Sequence, residues 1–207
     1  MLNKQMKQYI VETIEEQQNL HNKKMELYKE EKDYVVKHQL LSADNIDKVT
    51  LIEKDASSRF IDAYIERCDK ETEDLIAKAA PDFLNQPITY LKTNRNEFVY
   101  LESKWFDIID VDAISIEADD VFEIYTVMLG LKCQKKYAGL LKSYLEQNLH
   151  GEEEAKFNIL FNQDDGLWNV NFSLDYINGY SEELSIGEAY RLIYQFLFKL
   201  GETIEEK

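Results

Sequence analysis

Apolar residues over the first 41 positions recur at helical steps, but thinly: Leu2, Met6, Tyr9, Ile10 and Ile14, then Leu20, Leu27, Tyr34 and Val35. That period predicts one or two amphipathic helices with a narrow apolar stripe and a break near Gln18–Asn22. A coiled coil is excluded, because its second seam position would hold Glu16, Lys23, Glu30 and Lys37. A turn-like Ser-Ala-Asp-Asn at 42–45 follows, and Val49–Ile52 predicts a short strand. From Ala56 the steps of three and four return, at Phe60, Ile61, Tyr64, Ile65, Cys68, Leu75, Ile76 and Ala79, and predict a helix. A strand over 59–68 would mix acids and apolar groups on one face, which favours the helix. Pro81 suits the first position of a new helical turn. Across 88–109, Leu91, Phe98, Leu101, Trp105 and Ile108 can share a helical face, although Glu97–Ser103 also fits a strand.

Ile114 and Ile116 alternate with polar neighbours and predict a short strand. A helix is expected next, from Asp119 to Leu149, with acids in its first turn and lysines later, which suits the helix dipole. Gly151 reads as its C-terminal cap. The strongest strand signal lies at 156–175. Phe157, Ile159 and Phe161 alternate, then Trp168, Val170, Phe172 and Leu174. A two-residue turn at Asp165-Gly166 predicts a hairpin with Phe161 opposite Val170, Ile159 opposite Phe172 and Phe157 opposite Leu174. Ser185 and Glu188 form a capping-box pattern before a last helix at 186–204. The expected fold is α+β: a predominantly helical single domain with a small antiparallel sheet around that hairpin. Residues 1–41 make an amphipathic helical N-terminal segment and 42–207 the α+β domain, packed as one unit.

Composition supports long helices and few tight turns. Gly (7) and Pro (2) are scarce, and 44% of residues are hydrophobic, enough for a core. The chain carries 40 acids against 24 bases, a net charge of −16, which argues against nucleic acid and anionic membranes as partners. The N-terminal residues lack the apolar run of a secretory signal, and Cys68 and Cys133 share no motif, so a cytoplasmic location is expected. The negative charge is concentrated in two blocks. Residues 105–131 hold seven acids and no base, and residues 150–190 hold nine acids and one lysine, Lys156.

The spacing of chemistry-bearing residues argues against several activities. The seven glycines are too far apart for a phosphate cradle, so neither a Walker loop nor a dinucleotide fingerprint exists. His21, His38 and His150 stand at no zinc-ligand spacing. Asp107, Asp110, Asp112, Glu117, Asp119 and Asp120 are the one dense carboxylate group. An EF-hand beginning at Asp110 fails at Ile114, Ser115 and Val121. The group reads first as a solvated acidic loop with helix N-terminal charge, and then as weak metal binding or an acidic face for a basic partner; no metal ligand is assigned and no cofactor is expected. Tyr176 and Tyr180 follow no buried period and are candidates for a pocket rim or interface, together with Trp168 and Tyr190.

At FLNQPITYLK, EFVYLESKWF and DGLWNVNFSLD the chain resembles a family of uncharacterised cytosolic proteins of similar length from spore-forming Gram-positive bacteria. Some members carry a loose label of branched-chain amino acid aminotransferase. That label would imply pyridoxal phosphate on a Schiff-base lysine. The phrases are not catalytic motifs, so the resemblance assigns no site residue.

The residues themselves favour a non-enzymatic cytosolic protein that binds another protein through an acidic face, with self-association left open. The alternative is an enzyme or small-ligand binder with a pocket between the 156–175 hairpin and the last helix. Glu182 or Glu188 would then supply acid–base chemistry.

Overall fold

A computed structural model describes residues 2–19, 24–41, 49–151 and 156–206, with side chains of the first helix described through Glu15. The expected turn at 42–45 lies outside the described residues. In chain order the elements are α1 (Leu2–Asn19), β1 (Lys24–Leu27), α2 (Lys29–Lys37), β2 (Thr50–Glu53), β3 (Tyr64–Asp69) and β4 (Leu75–Ala79). Then come α3 (Tyr90–Thr93), β5 (Glu97–Glu102), α4 (Lys104–Ile108), β6 (Val111–Ala118) and β7 (Tyr125–Leu131). The chain ends with α5 (Ala138–Asn148), β8 (Phe157–Asn162), β9 (Leu167–Ser173) and α6 (Ile186–Glu205).

Seven of the strands form one antiparallel sheet in the order β4-β3-β5-β6-β7-β9-β8, while β1 and β2 pair in parallel. The fold is therefore α+β but not predominantly helical, and its sheet is not small: strand makes up 31% against 41% helix. Besides β1, which interrupts the expected N-terminal helices, and β5, where the strand alternative holds over Glu97–Glu102, two misread segments account for the difference. The first is 56–79. There Asp69 Oδ1 accepts hydrogen bonds from the amides of Glu71 and Thr72, and Glu73 takes a φ of 60°. This Asx turn folds β3 back against β4. The mixed face that spoke against a strand is tolerated because Tyr64 donates to Glu66 on the solvent side. On the other side Arg67 is held by Glu97.

The second misread segment is 119–137. Asp119 does not start a helix. Its carboxylate caps a tight turn through the amides of Val121 and Phe122, and β7 follows with alternate residues buried. Helix begins only at Ala138, and it ends at Asn148 with Leu149 as its cap rather than at Gly151.

The hairpin at 157–173 forms as expected, two residues out of the expected register. Phe161 faces Trp168, Ile159 faces Val170 and Phe157 faces Phe172. The turn residue is Asn162, whose side-chain oxygen accepts from the amides of Asp164 and Asp165 and whose carbonyl accepts from Gly166. A two-residue slip keeps every apolar side chain on its own face, so hydrophobic pattern alone does not distinguish the two registers.

The core lies between one face of the sheet and α6. Tyr190 of α6 reaches the sheet with its hydroxyl, donating to the carbonyl of Val99 at 2.7 Å, and Phe196 packs on Phe172 of β9 with ring centroids 5.3 Å apart. The capping box at its start forms as read, Ser185 with Glu188. The opposite side of α6 is covered too. Phe198 meets Tyr34 of α2 edge-on at 5.7 Å, and Leu2 of α1 lies against Gly201. An apolar circumference this wide makes α6 the hub between the sheet and the N-terminal elements. The α1 stripe is Leu2, Met6, Ile10 and Ile14, all buried.

Under the sheet edge, Glu97 accepts a bidentate pair from Arg67 and a further bond from the Tyr90 hydroxyl. The Arg67 hydrogen bonds hold its pKa below the usual carboxylate value, against the effect of burial. A depressed folded pKa gives stability that is present above the unfolded value of about 4.3 and lost as pH falls through the folded one. Glu97→Gln should thus cost roughly 1.5–3 kcal/mol at neutral pH. In melting curves the gap between variant and parent should narrow as pH falls below about 4.3. A gap that stays constant with pH would show that the charge contributes nothing.

Candidate functional site

The six acids grouped in sequence do not form one cluster in space. Asp107, Asp110 and Asp112 lie near the start of β6, and Glu117, Asp119 and Asp120 at its end, roughly 20 Å away for a strand of this length. Bases or donors meet several of them: Lys132 pairs with Asp112, Gln5 donates to Asp110, and Lys70 reaches Asp120 at 3.3 Å. Among the described residues no group of three or more His, Cys, Asp or Glu is placed to hold a metal ion.

Nor are the four aromatic candidates gathered. Tyr190 is fully buried. Trp168 is buried at the end of β9 that pairs with Leu131, its indole N–H donating to the Cys133 carbonyl at 3.1 Å. Tyr176 lies flat against Gly151, where any Cβ would meet its ring at 2.9 Å. Tyr180 lies at the other end of β7, its ring 6.1 Å from that of Tyr125. Burial raises the pKa of the nearby Asp175 carboxyl, but that group is engaged, accepting from the Tyr125 amide at 2.6 Å. The space between the hairpin and α6 is filled by Phe172 and Phe196. Glu188 belongs to the capping box, and Glu182 pairs with Lys92 near the surface.

A second constellation is hidden from a sequence reading. Arg59 is 3% exposed and Glu31 0%. The guanidinium donates to both oxygens of Glu31, at 2.6 and 3.1 Å, and to Glu30 at 2.6 Å. It is sandwiched between the rings of Tyr28 and Tyr194, 4.1 and 4.0 Å from their centroids. Tyr194 also donates its hydroxyl to Glu31, and Gln195 donates to Glu30. Burial opposes the Arg59 charge, but Glu31, Tyr194 and Glu30 outweigh it, so the pKa is raised. Arg59 and Glu31 at the core of this network are closed to solvent. The network acts as a clasp that ties α2 and the 56–59 turn to α6. Nothing in the spacing of Glu30, Glu31 and Arg59 announces it.

Among the described residues, the outward face of the sheet remains open. Along β5 and β7, and along β6 from Ile114 onward, the inward residues are buried and the outward ones half-buried or exposed, whereas on β3 the outward Cys68 is itself buried and the inward Arg67 half-buried. Strand pairing aligns the outward residues in rows. One row runs Lys78, Glu66, Tyr100, Ser115, Met128, Asn171 and Asn158, and its neighbour includes Cys68, Phe98, Glu117 and Thr126. The β3–β5 half interleaves aromatic rings with carboxylates. Tyr64 donates to Glu66, Tyr100 donates to Glu102, and Lys78 sits 4.7 Å over the Tyr64 ring. Burial raises the Glu117 pKa, with Lys70 pulling the other way, and burial also raises the Cys68 thiol. In the β7–β9–β8 half no outward side chain is ionisable. That half is the charge-poor part of a chain in which 31% of residues are charged.

The sequence carried one available signal for this face. Outward positions of Glu97–Glu102 and Tyr125–Leu131 read Phe98, Tyr100, Thr126 and Met128, too apolar for an ordinary solvated face. Comparison with protein-family models, with curated proteins and with solved structures finds no match to this chain.

Proposed function

We propose that the chain is a non-enzymatic protein-binding module whose docking surface is the open sheet face, and that the bound segment carries Lys or Arg. The observation that carries this reading is the Tyr64–Glu66 and Tyr100–Glu102 ladder beside Phe98 and Met128. Rings next to carboxylates recognise a cation by ion pairing and by contact with the ring face, and the flanking apolar surface takes the stem of a long basic side chain. The charge-poor half has the make-up of an interface centre, where ionisable groups are depleted. A net charge of −16 adds long-range attraction for a basic partner. No helix among the described residues is long and apolar enough to cross a membrane.

The test is an array of peptides equal in length and hydropathy but graded in charge. Peptides combining Arg or Lys with apolar residues should bind, and added salt should weaken them. The double variant Glu66→Gln, Glu102→Gln should lose most of that binding with its melting temperature preserved. Binding that ignores peptide charge, or that survives the double variant, contradicts the reading.

A further inference from the structure

The two edges of the sheet are protected differently. β4 carries Lys78, its pairing with β3 is broken by a register shift at Arg67/Cys68, and Pro81 follows closely. Such features block pairing with another chain. β8 has none of them. Its six residues, Phe157 to Asn162, include no charge and no proline, and Leu160 stands 64% exposed on the outward face.

The backbone groups of this edge can be assigned from the ladder. The Ser173 amide donates to the Lys156 carbonyl, and Lys156 is in line with the even-numbered residues of the strand. In an antiparallel pair alternate residues turn their backbone groups to the partner. Residues 156, 158, 160 and 162 therefore bond to β9, and Phe157, Ile159 and Phe161 point their N–H and C=O groups away from the sheet.

We propose that this edge pairs with the same edge of a second copy of the chain, antiparallel about a two-fold axis through Leu160. In that register Leu160 faces Leu160, Asn158 faces Asn162, and Ile159 faces Phe161. Ile159 and Phe161 are the residues with free backbone groups, so each Ile159–Phe161 pair exchanges two hydrogen bonds. The Leu160 pair is then the non-hydrogen-bonded kind, in which side chains approach most closely. Just beyond the strand, Lys156 of one copy is brought to the 163–166 turn of the other, which carries the acids Asp164 and Asp165, once at each end. Lys156 keeps donors to spare while bonded to the Leu149 carbonyl, and Asp164 is exposed. A shift by two residues in either direction sets Leu160 against an asparagine. The half-buried Phe157, Ile159 and Phe161 would gain burial from the same contact. The pairing does not rest on the partner-binding reading, because it leaves the outward face open.

Analytical ultracentrifugation of the full chain over a concentration series should show a reversible monomer–dimer equilibrium. Leu160→Lys places like charges on the axis and should give monomer throughout, with circular dichroism and melting temperature unchanged, since the side chain is exposed. Leu160→Cys should yield a disulfide-linked dimer under mild oxidation, while Asn158→Cys should not, because position 158 faces 162 rather than itself. The unmodified chain, oxidised alongside, reports any contribution of Cys68 and Cys133. A parent chain that stays monomeric at the highest concentration overturns the proposal. So does a Leu160→Lys variant that still dimerises, or crosslinking at Asn158→Cys as fast as at Leu160→Cys.

Discussion

Arg59→Met should destabilise the fold by about 3–5 kcal/mol, the usual cost of removing one partner from a buried ion pair. Glu31 would be left with no exposure and only the Tyr194 hydroxyl. Its charge would then be buried with no base in the network. For a chain of this size each kcal/mol shifts the melting point by roughly 2–4 °C, so a fall of roughly 6–20 °C is expected. The clasp also predicts the sign of coupling. Replacing Glu31 and Arg59 together by Leu and Met should cost much less than the sum of the single changes, because the fully buried Glu31 charge is then no longer stranded and only the part-buried Glu30 loses the guanidinium. Additive losses would mean that the two residues act independently.

Phe196→Ala should cost about 3–5 kcal/mol, the range for emptying a buried aromatic site. Its ring contacts Phe172 of β9 at 5.3 Å and Tyr144 of α5 at 5.1 Å, so a cavity there separates three elements at once. The Tyr144 hydroxyl bonds to the Phe196 carbonyl and survives the change, which limits collapse of the helix onto the sheet. Phe196→Leu, by contrast, should recover more than half of the loss. Chemical denaturation with an unchanged slope would attribute both effects to the native state. A loss below 1 kcal/mol would show that α6 is not the hub.

The parts legible from sequence were those with local causes. The capping box at Ser185, the alternation of Ile114 and Ile116, and the faces of the 157–173 hairpin each depend on residues close in the chain. The sheet's true width did not. β3 is built of Tyr64, Ile65, Glu66, Arg67 and Cys68, which fit a helical wheel as well as a strand, and its pairing with β5 thirty or so residues on decides between them. Likewise the acids at 119–123 suggested a helix start, whereas Asp119 uses its carboxylate to close a turn. The acids singled out from the sequence lie apart in space. The excess of acid was visible in the sequence, but the partners of Asp112 and Asp120 are Lys132 and Lys70. Only the cross-strand rows bring Tyr64, Glu66, Tyr100 and Glu102 together, because that alignment is set by register rather than by spacing.

The central claim is that the outward face of the sheet is a docking surface. Hydroxyl-radical footprinting tests it most directly, with the chain alone and then saturated by its tightest basic peptide. Alone, Tyr64, Phe98, Tyr100 and Met128 should label. Bound, these four should be protected, while Val121 and Phe122, 78% and 62% exposed on the β6–β7 turn, keep their labelling. Unchanged labelling of the four, with protection appearing elsewhere on the molecule, would contradict the account.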